Sequence, residues 1–581
     1  MKRIFSVITI LALSVSLFAT ESVDSVAVKQ GKKEKKESSV QLHGSFQTDI
    51  LVPEEDKAIG ATADDPFLSN TYLNLNLTST YVNAGARLEL MHKPLPGFEQ
   101  GFAGGGIKGL YVSGGYKYFN VTVGDIYDQF GSGMLFRAYE ERTLGVDNAI
   151  RGARVILTPY KGITFKALGG MQRQYFNFNK DNAYGFDFSK NGMMGFNLDL
   201  DIDQWSQFMM DNDYHLRLGG SFVSKYNEDE EIVIMDNTGG YRLVLPKFVG
   251  AGEVRADFSH AGWRAMLEYA YKANDPTAEN DYSYRPGQAL FASLGYSQKG
   301  MSILAQVKRS ENMVFRSDRG LGATAGNLNN MPAFGYTHTY ACASNLPYAT
   351  QANGEWAYQL ELAYKFKPKT AMGGKYGTTF KLRGTYILGL DKDTVAKIRG
   401  TLWGTDVYTT KFFSTGDEYY LDAHLEFNKR ITKNFSMIAL YMYQRYNQEV
   451  IRGHGEFLQA HTIVTDFQIK CSKNVNLRIE GQYQYTTQSK EDYEIGGHDY
   501  GNNVFGLVEL SLFKDFMISA SDNYYFRSDI NYYNITFAYS HGPHRVQLAY
   551  LRAKEGYNCN GGVCRQIPAQ KGLTVGYFVQ F

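Results

Sequence analysis

The sequence lacks a long apolar run beyond its first twenty residues, and it has little tryptophan, cysteine or net charge. Its mean hydropathy is −0.34. Because a transmembrane helix needs about 20 consecutive apolar residues, the chain beyond its N-terminus is not that of a helical membrane protein. The 60 Lys and Arg and the 59 Asp and Glu leave a formal net charge of +1, so the charge favours no nucleic acid or other polyanion as a partner.

Familiar catalytic motifs are also missing. The sequence contains no GxxxxGK[ST] phosphate loop, no HExxH, no GxSxG and no paired CxxC. We therefore expect no enzyme activity, no catalytic residue, no bound metal and no cofactor. His215 and Ser221 share an expected strand, as a lipase site would, but strand neighbours that far apart do not touch. Calcium could bind acidic loops such as 54–56, but acidic side chains in such loops are ordinarily solvated and bind no ion.

Aromatic residues, in contrast, are abundant. The chain has 43 Tyr and 37 Phe against 4 Trp, and aromatics make up 14% of its residues. This excess is typical of the aromatic girdles at the two interfaces of a membrane barrel. The low mean hydropathy is compatible with such a barrel, because half of each strand faces a polar lumen.

Apolar and polar residues alternate in a long succession of segments from Ser39 onward. In 252–258, valine, alanine and phenylalanine fall on one face, and glutamate, arginine and aspartate fall on the other. Segments 196–202, 263–269 and 356–366 repeat the alternation. A repeatedly charged inner side would make a poor soluble core, since an unpaired buried polar group costs several kcal/mol. The pattern therefore favours a lumen filled with water or polar loops over a soluble propeller or set of sandwiches.

The N-terminus is typical of a secretory signal peptide. A short basic segment precedes an apolar stretch, 4–18, that is too short to span a bilayer, and Ala19 is a plausible cleavage residue. We assign residues 1–19 to the signal peptide, 20–38 to a charged periplasmic linker and 39–581 to a barrel. The linker could instead dock an energy-coupling partner, but the plug domain that a TonB-dependent receptor places after such a peptide is missing.

The C-terminus is an alternating segment, Leu573–Phe581, that ends on an aromatic residue. Tyr577, Val579 and Phe581 fall on one side of it. A strand closing on a terminal aromatic resembles the C-terminal signal of bacterial outer-membrane β-barrels, so we expect the barrel-assembly machinery to recognise these residues. The two ends together predict a protein that is exported through the inner membrane and lies in the lipid of the cell outer membrane.

The connections alternate between short turns, such as 113–115 and 513–515, and long polar segments, such as 389–416. Short periplasmic turns and long extracellular loops are typical of membrane barrels. We expect an all-β fold, a single large antiparallel transmembrane β-barrel of about 24 strands (22–26), with one or more loops folded inward. The longer connection at 203–213 breaks the pattern and should carry a short helix.

Two segments are the best candidates for function, and the first is residues 125–149. Opposite charges packed this closely favour an ordered network, so we expect a loop folded into the lumen. It is a structural plug without a ligand, a constriction that contacts solutes, or an ordinary surface loop. Its candidate lumen residues, with the arginine that follows it, are Asp125, Asp128, Arg137, Glu140, Glu141, Arg142, Asp147 and Arg154.

The second segment, Lys308–Gly354, is too long for an inert connection. Its apolar and aromatic residues favour packing over disorder. Arg316, Asp318 and Arg319 could pair with carboxylates of the first segment, and we include them among the lumen candidates.

The cysteines predict one small disulfide. Cys559 and Cys564 are separated by Asn-Gly-Gly-Val in an exported chain, where disulfides persist. Cys342 lies in a long loop and Cys471 near a turn at the opposite rim. These two cannot pair, because bridged Cα atoms lie within about 7 Å of each other.

The exported N-terminus and two segments, GDIYDQFGSG…RAYEER…GVDNAIRGARV and RSENMVFRSDR, resemble an uncharacterised family of outer-membrane β-barrel proteins from Bacteroidota. The resemblance covers essentially all of the mature chain, and the first segment is its most specific part. It implies the location and the fold, and it carries over no activity and no functional residue.

The leading functional hypothesis is a passive porin or channel for polar solutes. A charge-lined lumen would replace the lipid barrier, and a constricting inward loop would set selectivity. The alternative is a docking or assembly platform for an exported protein or a surface lipoprotein, in which the lumen is closed. An outer-membrane enzyme is the least favoured interpretation.

Overall fold

The structure is a computed structural model, and it describes residues 40–98, 100–174, 188–236, 239–243, 245–322, 325–394, 408–496 and 498–581. The expected signal peptide (1–19) and linker (20–38) lie outside the described residues. All further statements concern the described part of the chain.

Twenty-four strands form one sheet in which each strand pairs antiparallel with its neighbours along the chain. The alternating pattern of the sequence produces them, since period-two residues suit an extended backbone. They are β1 (Gln41–Pro53), β2 (Leu68–Thr78), β3 (Val82–Met91), β4 (Gly104–Tyr116), β5 (Phe119–Ile126), β6 (Ile150–Leu157), β7 (Ile163–Arg173), β8 (Phe188–Asp201), β9 (His215–Tyr226), β10 (Phe248–His260), β11 (Trp263–Lys272), β12 (Gly287–Gln298), β13 (Met301–Glu311), β14 (Gly354–Phe366), β15 (Thr378–Leu388), β16 (Glu418–Arg430), β17 (Phe435–Asn447), β18 (Phe457–Lys470), β19 (Val475–Thr486), β20 (Asn503–Leu512), β21 (Phe516–Tyr525), β22 (Ile530–His541), β23 (His544–Ala553) and β24 (Gln570–Gln580).

The sheet closes on itself because its first and last strands pair. β1 and β24 run antiparallel, with Ser45 opposite Gln580 at one end and Pro53 opposite Gly572 at the other. Beyond this ladder, the Gly44 N–H donates to the carbonyl of the terminal phenylalanine at 2.7 Å, and the reverse bond measures 3.0 Å. The predicted single antiparallel barrel is confirmed, and so is its strand number.

The outer face of the barrel is apolar, and most of its inner face is polar. Val254 in β10 is 63% exposed, whereas the adjacent Glu253 is 4% exposed. In β18, Ile463 is 53% exposed and Thr462 is fully buried. Because successive side chains of a strand point to opposite faces, apolar residues cover the outer face and polar residues line the lumen. This arrangement is the reverse of a sheet on a soluble core.

Short connections lie at one end of the barrel, here called the turn rim, and long ones at the other end, the loop rim. One predicted turn, at 113–115, is wrong. β4 continues to Tyr116, and the chain turns at residues 117 and 118, with Lys117 at a φ of 53°. Gly114 and Gly115 lie in the ladder opposite Val121 and Asn120. Glycine weakens a strand without ending it. The prediction took the glycine pair as the turn and therefore placed the turn too early in the chain.

The helical elements are short. The connection expected at 203–213 carries a 3-10 turn, Ile202–Trp205, and the helix α1, Gln207–Asp211. The others are the 3-10 turns Gln100–Phe102 and Ala278–Asn280, and the helices α2 (Gln448–Arg452) and α3 (Lys490–Gly496). None of the helices in the described residues is long and apolar enough to cross a membrane.

The apolar core lies inside the barrel. Residues of two long connections, 127–149 and 312–353, pack against inward-facing side chains of the wall. Phe130 of the first and Phe315 of the second belong to one buried cluster with Val223 of β9. The core therefore comes from loops that enter the lumen.

The disulfide between Cys559 and Cys564 is present in the structure. It links the two strands of a hairpin, Gly556–Asn560 and Val563–Ile567, which lies between β23 and β24. Cys342 is buried, Cys471 is exposed, and both are free thiols.

The seam between the first and last strands leaves no room for a side chain at Gly44. A Cβ there would lie 2.4 Å from the Asn74 carbonyl oxygen and 2.9 Å from the Phe581 ring. We expect Gly44→Ala to lower the free energy of unfolding by about 1–3 kcal/mol, as overpacking does. The folded barrel migrates as a compact, SDS-resistant gel band, and the measurement is the temperature at which that band is lost. This temperature should fall with the free energy of unfolding. Gly506→Ala is the matched control, because a Cβ there meets nothing within 4 Å. An equal fall in both variants would contradict this account.

Candidate functional site

Two long connections fold from the loop rim into the lumen. The first inward loop comprises residues 127–149, between β5 and β6, and the second inward loop comprises residues 312–353, between β13 and β14. Residues 323 and 324 of the second loop lie outside the described residues. Both loops reach parts of the wall far from the strands that they join.

The tip of the first inward loop is seated on β11, five strands along the ring from β6. A hairpin of Asp128–Phe130 and Phe136–Ala138 presents this tip. The Ser132 N–H and hydroxyl donate to the Glu268 carboxylate of β11 at 3.0–3.2 Å. Gly131 has a φ of 50°, and a Cβ there would lie 2.5 Å from Oε1 of the glutamate at 253. Only glycine therefore fits between the loop and these two carboxylates.

The base of the first inward loop is fixed by ion pairs with the wall. Glu140 accepts two hydrogen bonds from the Arg87 guanidinium of β3, at 2.6 and 2.7 Å. Arg142 donates to Glu140 at 3.0 Å and to Gln47 of β1 at 3.0 Å. Bidentate pairs of this kind fix orientation as well as distance.

A second carboxylate of the loop, Asp147, meets two wall cations. It accepts hydrogen bonds from Lys108 of β4 and from Arg173 of β7, the latter at 2.9 Å. Glu89 of β3 lies 3.5 Å from the same lysine and 3.4 Å from the same arginine. The side chains of these four residues are almost inaccessible to solvent, so each charge depends on its neighbours for compensation.

Burial and charge act in opposite directions on the loop carboxyls. Burial disfavours the ionised form of Glu140, but the Arg87 guanidinium holds the pKa of that carboxyl below its usual value. At Asp147 burial outweighs the attraction of Lys108, and the pKa is raised. Burial, together with Asp147, also raises the pKa of the Tyr127 hydroxyl, which donates to that carboxylate at 3.0 Å.

Three further candidates lie where the first inward loop meets the wall. Asp125 of β5 accepts two hydrogen bonds from Arg151 of β6, at 2.7 and 2.6 Å. Asp128 accepts from Arg154 at 2.9 Å and from Lys166 at 2.8 Å. These ion pairs join the candidates to β6 and β7.

The last two candidates of the first segment contact the loop itself and the hairpin 556–567. The Arg137 guanidinium stacks over the Tyr139 ring at 4.2 Å. Glu141 accepts a hydrogen bond at 2.8 Å from Asn560, in the disulfide-linked hairpin.

The charged candidates of the second inward loop have partners other than those expected. Arg316 pairs with Glu279 at 3.2 Å, and Arg319 lies 3.7 Å from Asp275. Both of these partners belong to the connection between β11 and β12, whereas we expected carboxylates of the first segment. Asp128, Glu140 and Asp147 of that segment are already neutralised by cations of the nearby wall. Asp318 accepts from its neighbouring Gly320 N–H at 2.9 Å.

The two inward loops contact each other through backbone and amide groups. The Asn330 N–H donates to the Gly133 carbonyl at 3.0 Å. The Asn148 side chain donates to the Asn327 carbonyl at 2.8 Å. These hydrogen bonds involve only uncharged groups, so they join the two loops without an ion pair.

The second inward loop continues to the far wall. The Cys342 N–H donates to Gln482 of β19 at 2.9 Å, and Tyr525 of β21 donates to Asn345 at 2.7 Å. The hairpin 556–567 then covers the loops, with the Thr350 N–H donating to its Gly562 carbonyl at 2.9 Å. The loop-rim half of the lumen is therefore filled by the chain itself.

Two cavities lie on the side of the turn rim, and a smaller one lies near the loop rim. One of about 540 Å³ lies against β1–β6 and has mainly polar lining residues, including Asn76, Asn83, Arg87 and Arg154. Another of about 470 Å³ lies against β16–β20. A smaller one, about 180 Å³, separates the second inward loop from the hairpin 556–567.

Sequence reasoning missed the wall partners of the inward loops. Arg87 and Glu89 are alternate residues of β3, and a period-two pattern assigns both to the lumen face. The pattern does not tell which loop charge they meet, because that contact spans 53 residues between Arg87 and Glu140.

Solved structures to which the chain is similar include siderophore receptors and Occ proteins. The siderophore receptor PirA from Pseudomonas aeruginosa is 9% identical, with 94% of this chain and 81% of that chain covered and a TM-score of 0.39. OccK3 (OpdO) from the same organism is 13% identical, with 77% and 96% covered and a TM-score of 0.35. OccAB3 from Acinetobacter baumannii is 8% identical, with 94% and 99% covered and a TM-score of 0.35.

No curated protein matches the chain. A family model described as "Family of unknown function (DUF6029)" matches residues 1–581.

The buried network predicts a large effect of removing one cation. Lys108→Met would leave Glu89 and Asp147 short of positive charge in a site closed to water. We expect the free energy of unfolding, measured by urea titration in detergent, to fall by about 3–5 kcal/mol, as when one partner of a buried pair is removed. Lys490→Met is the control, because its pair with Glu494 is exposed and should contribute little. Equal stability of the two variants would refute the role assigned to the network.

Proposed function

The chain belongs to the DUF6029 family of unknown function, and we propose that it is an outer-membrane barrel that conducts small polar solutes when its inward loops move aside. The observation that carries the proposal is a lumen with a mostly polar wall whose loop-rim half is filled by the chain's own loops. The channel is passive, as the sequence suggested, but it is gated. As the family resemblance implies, its setting would be the envelope of a Bacteroidota cell.

The outer face of the barrel supports a place in a lipid bilayer. Val254, Leu267 and Ile535 are 63%, 54% and 55% exposed, in three different strands. An extended apolar face of this kind is unfavourable in water. Because the ring has no open edge, every strand can satisfy its backbone groups inside lipid. The bacterial outer membrane is the bilayer in which such barrels occur.

The lumen supports passage of polar solutes over apolar ones. Below the inward loops, the wall of the cavity of about 540 Å³ presents asparagine, serine and threonine together with His43, Asp125 and Arg154. Both signs of charge are present, so the wall favours no single ion. Side chains of this kind can replace the hydration of a small polar molecule during passage.

The inward loops must move before a solute can cross. Met134 of the first loop and Phe334 of the second are 0% and 2% exposed in a cluster that includes Tyr420 of the wall. Opening would break this apolar packing, which favours the closed state at rest. A second apolar cluster, which includes Phe130 and Phe315 of the loops and Val223 of β9, would be broken as well. The hydrogen bonds and ion pairs of the loops differ, because water can replace their partners.

A second function, a docking platform, is favoured by the connected surface at the loop rim. The Asn558 side chain and the Arg565 guanidinium of the hairpin both donate to the Thr143 carbonyl of the first inward loop at 3.0 Å. Such a surface could recognise an exported protein or a surface lipoprotein while the lumen stays closed.

Planar-bilayer conductance distinguishes the two functions. The Met313 N–H donates to the Ala352 carbonyl at 3.0 Å, so the ends of the second inward loop already pair like a hairpin. Replacing residues 314–351 by Asn-Gly, a turn that suits such a hairpin, should keep the barrel and remove half of the plug. We expect rare, small steps from the unmodified protein and steps several-fold larger from the deletion variant, because the open cross-section increases.

A point variant tests the gate more gently. Gly131→Ala should displace the loop tip from Glu253 and raise the frequency of opening. Gly60→Ala is the matched control, since that glycine also has a positive φ of 75° but its Cβ would meet nothing within 4 Å.

A folded deletion variant that conducts no better than the unmodified protein would rule out the channel and leave the platform.

A further inference from the structure

Three side chains in the lumen have the arrangement of a metal site. His338 of the second inward loop faces Asp422 and His424 of β16. Nε2 of His338 lies 2.5 Å from Oδ2 of Asp422, and Nδ1 of His424 lies 3.1 Å from Oδ1 of Asp422. Asp422 and His424 are alternate residues of one strand and so share its lumen face. One donor atom of each side chain lies within 4.8 Å of the other two.

Asp422 differs from the other buried carboxylates in the residues with which it forms ion pairs. Asp422 is fully buried, and in the described part of the chain its ion pairs are with the two histidines alone. A buried carboxylate needs a compensating positive charge, and an ion held by the two imidazoles and the carboxylate would supply it. The other close group of acidic residues, at positions 89, 140 and 147, is neutralised by lysine and arginine.

We propose that His338, Asp422 and His424 bind one divalent transition-metal ion of the Zn²⁺ type, which ties the second inward loop to the wall. Imidazole nitrogen and carboxylate oxygen bind Zn²⁺ at about 2.0–2.2 Å, so donors this close need small shifts to converge on one ion. The two imidazoles select against Ca²⁺ and Mg²⁺, which take oxygen ligands. The fourth position of a tetrahedral site is left to solvent.

Neighbouring polar groups hold the carboxylate in position. The Tyr420 hydroxyl donates to Asp422 at 3.1 Å, and the Gln444 amide donates to the Tyr420 oxygen at 3.0 Å. Outer partners of this kind orient a metal ligand. His338 also lines the cavity of about 180 Å³ beneath the hairpin 556–567, and the adjacent Thr337 is exposed. An ion can therefore reach the group.

Calorimetric titration of the full-length, EDTA-treated barrel with Zn²⁺ tests the proposal. We expect one ion per chain, no binding of Ca²⁺, and loss of the Zn²⁺ site in His338→Ala and in His424→Ala. Gln444→Leu should weaken binding by about 10–100-fold, through the orientation of the carboxylate. His461→Ala is the matched control, because that histidine bonds to the Tyr441 hydroxyl at 2.8 Å at an exposed position of β18.

A second measurement uses the unmodified protein and so does not depend on how the variants fold. Zn²⁺ should slow hydrogen–deuterium exchange of the amides in 336–342, because the ion would fasten this part of the loop. Unchanged exchange, no stoichiometric site, or binding that survives both histidine substitutions would overturn the proposal. Neither measurement depends on whether the barrel conducts.

Discussion

The pairing of the first strand with the last is the constraint on which the rest of the structure depends. A sheet of twenty-four strands with two free edges would have no interior. The ladder from Ser45–Gln580 to Pro53–Gly572 converts it into a ring and satisfies the backbone of both strands. The bonds are made by main-chain groups, so the seam depends on register, and at Gly44 it also depends on the absence of a side chain.

Once the ring exists, its interior follows from the alternation of residues along each strand. Lumen-facing arginine and lysine side chains, such as Arg87 and Lys108, neutralise the carboxylates of the first inward loop. A buried ion pair is a weak source of stability, because desolvation offsets most of the attraction. Its role here is positional: the pairs determine where the loop lies, while apolar side chains such as Phe130 supply the favourable burial.

The fold could be predicted from the sequence because it depends on local patterns. Period-two alternation gave the strands, and the alternation of short and long connections gave the single ring. The turn predicted at the glycines 114 and 115 was wrong, because glycine occurs within strands as well as in turns. The charged first inward loop was recognised by its composition. The partners of Arg316 and Arg319 were not, because they depend on which connections meet inside the ring. His338 and Asp422 are 84 residues apart, and no local motif joins them.

The hairpin 556–567 has a consequence for the order of assembly. It lies between the last two strands, and it contacts Thr143 and Thr350 of the two inward loops. A lid tethered between the final strands cannot settle until the ring is almost shut. The lid therefore takes its final place over both loops late in assembly, and the last hairpin of the chain depends on the ring as well as on the loops beneath it.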